Sequence, residues 1–145
     1  MSISRFEDLV AWQKARTFCR NIYLMTSTGR FARDYGLSRQ IQRAAVSIMS
    51  NIAEGFERNG AGEFHQFLSV SKSSCAEVRS QLYVALDTGY IDEVLFSDLM
   101  KQGEELARII GGLRASVATR RLAERPVPGN AIRRPAQHSA LSTQH

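Results

Sequence analysis

The chain has no proline before Pro126. Proline lacks a backbone N–H and clashes with the preceding helical turn, so its absence leaves a long stretch in which helices run unbroken. No apolar run approaches the roughly 18 residues that a membrane-spanning helix needs. The opening MSISRFEDLV carries Glu7 and Asp8 and has no apolar run before a small-residue cleavage site. That is not a signal-peptide pattern, and cytoplasmic residence is the expectation. Only two cysteines occur, Cys19 and Cys75. They lack metal-like or redox-like spacing and read as buried small hydrophobes in a reducing compartment.

Catalytic arrangements are missing as well. Of three histidines, His138 and His145 lie near the C-terminal end, leaving His65 alone in the body. There is no G-x-S-x-G, no glycine-rich phosphate loop and no metal-spaced cluster. A di-metal helix bundle needs Glu-x-x-His pairs, and no glutamate here has a histidine three residues on. The expectation is a protein that is not an enzyme and holds no metal or cofactor.

What is present is helical periodicity. The 145 residues suffice for one domain, and 43% hydrophobic with 23% charged residues is an ordinary globular composition. The first apolar stripe, within about 6–26, is Ala11, Ala15, Phe18, Ile22 and Met25, flanked by Trp12 and Cys19. After a punctuated stretch with room for one short helical turn, Ser38 is the expected N-cap of a second helix, with Leu37 packing back on it. Its stripe is Ile41, Ala44, Ala45, Ile48, Ile52 and Phe56, and Gly60 and Gly62 are expected to break it. A third carries Phe64, Phe67, Leu68, Ser71, Cys75, Val78, Leu82, Ala85 and Leu86. The fourth starts near Asp92 and continues through Leu95, Leu99, Gly103, Leu106, Ile110, Leu113 and Val117. Four long helices joined by short loops imply an all-α, antiparallel up-and-down four-helix bundle over 1–121. Residues 122–145 hold every proline, lack an aromatic, carry net +2 and read as a disordered basic tail.

The second helix also carries a recognisable block. Gln40-Ile41-Gln42-Arg43-Ala44-Ala45-Val46-Ser47-Ile48, followed by Asn51-Ile52-Ala53-Glu54-Gly55, resembles a bacterial four-helix-bundle family. That family was first noticed in open reading frames inside 23S rRNA intervening sequences. It includes the accessory variability determinant proteins of diversity-generating retroelements. Phe6, Leu9, Trp12, Gln13, Ala15, Tyr35-Gly36-Leu37, Ser74 and Glu77 are supporting matches, and the similarity spans about 6–117. One departure is Met49, where the family often has proline. The resemblance implies a pentameric ring with a basic surface and, in the retroelement branch, binding to nucleic acid and to a reverse transcriptase.

Read physically, the face of the second helix opposite its core stripe is Arg39, Arg43, Val46, Ser50, Ala53 and Glu57. Its middle is small or apolar, and a helix apolar nearly all round is buried on both sides. In a four-helix bundle the second side is another subunit, making Val46, Ser50 and Ala53 the candidate oligomer interface. Asn51, Glu54, Ser74 and Glu77 read as structural polar groups that fix helix register, with Arg43 or Arg79 as expected partners of the carboxylates.

Charge is unevenly spread. Sixteen of nineteen bases are arginine, which suits planar anions. Residues 1–58 carry net +4, whereas 85–113 carry net −4. Lys14, Arg16, Arg20, Arg30, Arg33, Arg39 and Arg43 are the candidate basic band for RNA or DNA phosphates. The rival use of the same charges is pairing with the acidic half of a neighbouring protomer. The remaining reading of these charges is an ordinary solvated surface. The alternative function is a protein–protein scaffold or accessory subunit serving a nucleic-acid enzyme such as a reverse transcriptase.

Overall fold

The computed structural model describes residues 2–124, and every regular element among them is helical. A 3-10 turn at Phe6–Asp8 precedes α1 (Val10–Thr26), α2 (Gly29–Arg33), α3 (Tyr35–Glu57), α4 (Ala61–Asp87) and α5 (Glu93–Glu124). Among the described residues there are five α-helices rather than four, because the short turn expected between the first two long helices is a helix of its own. The long helices α1, α3, α4 and α5 coincide with the four apolar-periodic segments.

These four pack in a closed cycle, α1 on α3, α3 on α4, α4 on α5 and α5 on α1. Residue numbers rise on one helix as they fall on its neighbour. Tyr83 meets Phe96, Cys75 meets Gly103 and Ser69 meets Arg114 between α4 and α5. Between α3 and α4, Ser47 meets Ser74, Ile48 meets Ser71 and Phe56 meets Phe64. Neighbours are therefore antiparallel. The apolar stripes meet on the inside, where Phe18, Ile22, Ile41, Ile48, Ile52, Leu68, Val78, Leu82, Leu106 and Ile110 are essentially inaccessible. Each such side chain contributes about 1.5–3 kcal/mol by leaving water, so this core dominates the stability.

Several sequence expectations are corrected at the helix ends. The first helix does not run from Phe6, because Leu9 is extended and itself buried, separating the 3-10 turn from α1. Ser38 does not cap α3. Asp34 does, its Oδ1 accepting from the Leu37 N–H at 3.1 Å, while Ser38 is buried one turn inside. A carboxylate facing free N–H groups is a stronger cap than a hydroxyl one turn later. Gly60, at φ +127°, breaks the chain alone, and Gly62 lies inside α4. Leu95 is 37% exposed in a shallow groove beside Leu24 and Met25 rather than in the core. Gly89 ends α4 at φ +74°, with the Tyr90 N–H returning to the Ala85 carbonyl, a closure only glycine makes without strain. Finally, α5 continues through Glu124, so 122–124 are helical; the rest of the expected tail, 125–145, lies outside the described residues.

Candidate functional site

Helix α1 divides its polar residues between two sides. Lys14 and Asn21 face α5, where Lys14 Nζ is 3.5 Å from Glu105 and Asn21 donates to Gln102 at 2.8 Å. Arg16 and Arg20 turn the other way, as 100° per residue dictates. With Arg5, Glu7, Trp12, Gln13 and Thr17 they line an open cleft of about 580 Å³. The Arg16 guanidinium lies 5.7 Å from the Trp12 ring centroid, and Phe6 packs edge-on against the same indole at 5.2 Å. Arg5 is ion-paired with Glu7, neutralising the one carboxylate that lines the cleft among the described residues. Gln13 donates to the Glu7 carbonyl at 2.9 Å.

Gln42 of α3 donates to Thr26 of α1 at 2.8 Å, which sets the register of this helix pair. That register places Arg39 and Arg43 near the C-terminal end of α1, with the level of Arg20 roughly 8 Å further along. The Arg39 guanidinium sits 5.5 Å from the ring of Tyr35, itself 65% exposed. Arg33 is exposed on α2. Among the described residues Arg16, Arg20, Arg33, Arg39 and Arg43 form no ion pair. They keep their donors for something else.

Two members of the sequence-derived band lie elsewhere. Lys14 belongs to the α1–α5 side, and Arg30 turns toward the α4–α5 turn. There its guanidinium lies 5.4 Å from the Tyr90 ring and donates to the Thr88 carbonyl at 3.3 Å. Conversely, Arg5 and Gln13 join the cleft without having been singled out for charge recognition; the four-residue spacing of Trp12 and Arg16 was the available signal. On α3, Val46 is 38% exposed, Ser50 exposed and Ala53 half-buried, with Tyr23 42% exposed on the adjoining helix.

The structural polar residues fall into two groups. Asn51 donates to the Ser47 carbonyl and hydroxyl at 2.8 and 3.0 Å, and Ser47 meets the buried Ser74 hydroxyl at 2.8 Å. Together with Ser71, which donates to the Ile48 carbonyl at 2.8 Å, they form a polar seam between α3 and α4. Glu54 and Glu77 are exposed instead, and their partners correct the expectation of Arg43 or Arg79. Glu54 pairs with Arg58 at 3.2 Å, and Glu77 accepts from Gln81 at 3.3 Å. Each carboxylate meets the residue one turn along its own helix, a short reach that costs little side-chain entropy.

No group of three or more histidine, cysteine, aspartate or glutamate side chains among the described residues is placed to hold a metal ion. Burial pushes both the Cys19 and Cys75 thiols up, in Cys75 against a smaller opposing effect of Arg79. No helix among the described residues is long and apolar enough to cross a membrane.

The family model described as "23S rRNA-intervening sequence protein" matches residues 7–112. The chain belongs to the 23S rRNA-intervening sequence protein family. No curated protein matches it. A solved structure from Bacteroides thetaiotaomicron, described as a protein with unknown function from the S23 ribosomal protein family, shares its fold. The TM-score is 0.68 at 20% identity, covering 73% of this chain and 96% of that one. The geometry gives the NIAEG block of this family member a physical meaning. Asn51 bonds into the seam, Ile52 is wholly buried, and Gly55 lets α4 come close, since a Cβ there would lie 2.6 Å from Phe67 Cβ.

Proposed function

We propose that this family member is a non-enzymatic, oligomeric nucleic-acid-binding protein that contacts RNA or DNA phosphates through the arginines of the α1–α3 side. One observation carries the reading: Arg16, Arg20, Arg33, Arg39 and Arg43 share the basic half of the molecule with no acidic partner among the described residues. Phosphate contacts of this kind are sequence-independent and salt-sensitive. The Arg16–Trp12 stack adds a surface suited to an unpaired base. The four long helices act as an up-and-down bundle, and the patch of Val46, Ser50 and Ala53 joins copies into a ring, pentameric as the family resemblance implies. A ring repeats the basic side in every protomer, so weak contacts multiply.

Fluorescence anisotropy with short RNA and DNA, from about 50 to 300 mM salt, tests the reading. The expected result is binding that weakens steeply with salt, with Arg16→Gln/Arg20→Gln lowering the slope of log K against log salt by about 0.9 per lost contact. Absence of binding at the lowest salt refutes it. Light scattering tests the ring: a species at the protomer mass of 16.2 kDa at micromolar concentration contradicts it. The second reading, a scaffold for a nucleic-acid enzyme, draws on the exposed acids Asp92, Glu93, Asp98, Glu104 and Glu105 on and beside α5. Retention of such an enzyme on the immobilised protein after nuclease treatment distinguishes it.

A further inference from the structure

A second cleft, of about 330 Å³, opens between α4 and α5, the pair containing the helix diagonally across the bundle from α1. It is lined by Ser69, Lys72, Ser73, Ala76, Arg79 and Arg114. Three cations share this small space, and among the described residues no carboxylate lines it. None of the three forms an ion pair among the described residues. We propose that this cleft binds a phosphate group, independently of the α1–α3 arginines.

The antiparallel register assembles the site from residues far apart in the chain. Arg114 of α5 crosses to α4, its Nε donating to Ser69 Oγ at 2.9 Å, which fixes the guanidinium plane at the cleft. Lys72 reaches the opposite way, its Nζ 3.6 Å from where a Cβ on Gly111 would stand. Around the neighbouring Gly112 that position is open. Position 111 of α5 thus carries no side chain beside the Lys72 ammonium, although glycine is costly inside a helix. Arg79 lies across Gly103, with its Cγ 2.9 Å from that residue's Cβ position, and its buried Nε has no hydrogen-bond partner among the described residues.

The donor pattern selects the ligand class. The Ser69 hydroxyl donates to the His65 carbonyl, and the Ser73 hydroxyl donates to the Ser69 carbonyl. Their hydrogens are used within α4, so the donors left for a ligand are ammonium and guanidinium groups. A lining of charged donors without acids fits an acceptor-only anion. Three cations from two helices suit the several oxygens and double charge of a phosphate better than a single carboxylate.

Isothermal titration of the full chain with inorganic pyrophosphate tests this, repeated on Lys72→Gln/Arg114→Gln and on Arg16→Gln/Arg20→Gln. Binding should fall about 10-fold or more in K72Q/R114Q, which loses two charge-assisted contacts. It should change less than about twofold in R16Q/R20Q, whose cleft is remote. The same variants titrated with short RNA separate the sources of the phosphate. Loss of RNA affinity in K72Q/R114Q identifies a nucleic-acid backbone as occupant, and unchanged affinity identifies a free phosphate compound. Pyrophosphate binding that is absent, or indifferent to K72Q/R114Q, overturns the proposal. The R16Q/R20Q arm reports separately on the α1–α3 reading. If the double variant melts early, Lys72→Gln alone, at an exposed position, serves in its place.

Discussion

Replacing Gly55 and Gly112 by alanine, one at a time, should move stability in opposite directions. Both glycines lie inside helices, where alanine is favoured by about 1 kcal/mol. At Gly112 nothing stands within 4 Å of the added Cβ, so that gain is realised. At Gly55 the Cβ would meet Phe67 Cβ at 2.6 Å, Phe64 Cδ1 at 3.1 Å and Phe67 Cγ at 3.3 Å. Comfortable carbon contacts lie near 3.5–4.0 Å, an overlap of roughly 1 Å. Phe67 Cβ moves only with its backbone, so α4 must shift away from α3 at the end of the pair where α3 finishes and α4 begins, beside the buried Phe64. Overpacking of this kind costs about 1–3 kcal/mol, and attachment to the backbone puts it near 3. The net expectation is a loss of about 2 kcal/mol for Gly55→Ala and a gain of about 1 for Gly112→Ala. For a chain of this size that corresponds to a melting temperature lower by about 8 °C and higher by about 4 °C. Thermal and urea unfolding followed by circular dichroism, at one fixed protomer concentration, measures both. A Gly55→Ala protein that melts at or above the wild-type temperature refutes the close α3–α4 approach.

The N-cap makes a prediction about pH. The Leu37 N–H first, and the Tyr90 hydroxyl second, hold the Asp34 carboxyl below the usual aspartate range. Folding thus favours the charged form, so its contribution is complete above a pH of about 4 and disappears as pH falls through the lowered folded value. The difference in urea midpoint between wild type and Asp34→Asn should be flat near neutrality and shrink in that acid window; a difference that grows on acidification contradicts the cap. Cys19 and Cys75 are buried, with thiols pushed up, so neither should react with a thiol reagent at neutral pH until urea unfolds the chain. Fast labelling of the folded protein would be incompatible with the core. Lys14→Gln removes an exposed pair with Glu105 on the α1–α5 side, so stability should change by less than about 0.5 kcal/mol. RNA affinity should fall less than in Arg16→Gln, and an equal fall would return Lys14 to the band.

The core was legible in the sequence because helical periodicity is local. Ala11, Ala15, Phe18, Ile22 and Met25 recur at three- and four-residue steps, and all five are buried. Helix ends were less legible. Ser38 carries a good capping side chain, yet Asp34 takes the role, held in place by Tyr90 from 56 positions further along the chain. Glu54 and Glu77 likewise sit beside core positions in the sequence pattern, yet both are exposed while nearby Ile52 and Val78 are buried. The arginine band was half legible. A residue's place on its own helix follows from 100° steps, whereas the helix it faces does not. Thus spacing alone does not show that Lys14 turns to Glu105 of α5, or that Arg30 turns to Thr88 and Tyr90 beyond α4.

The amino-acid sequence by itself determined the all-α class, four amphipathic long helices, the family and the basic first half. All of these depend on residue spacing or composition, which a chain carries whether folded or not. The tertiary structure alone decided which charges share a surface and which are already paired. It also brought Lys72, Arg79 and Arg114 around one cleft across the α4–α5 contact. Their proximity comes from the antiparallel α4–α5 register, seen where Cys75 meets Gly103 and Arg79 crosses the same glycine. Those contacts join residues about ten to thirty positions apart, a range over which no local pattern predicts what meets.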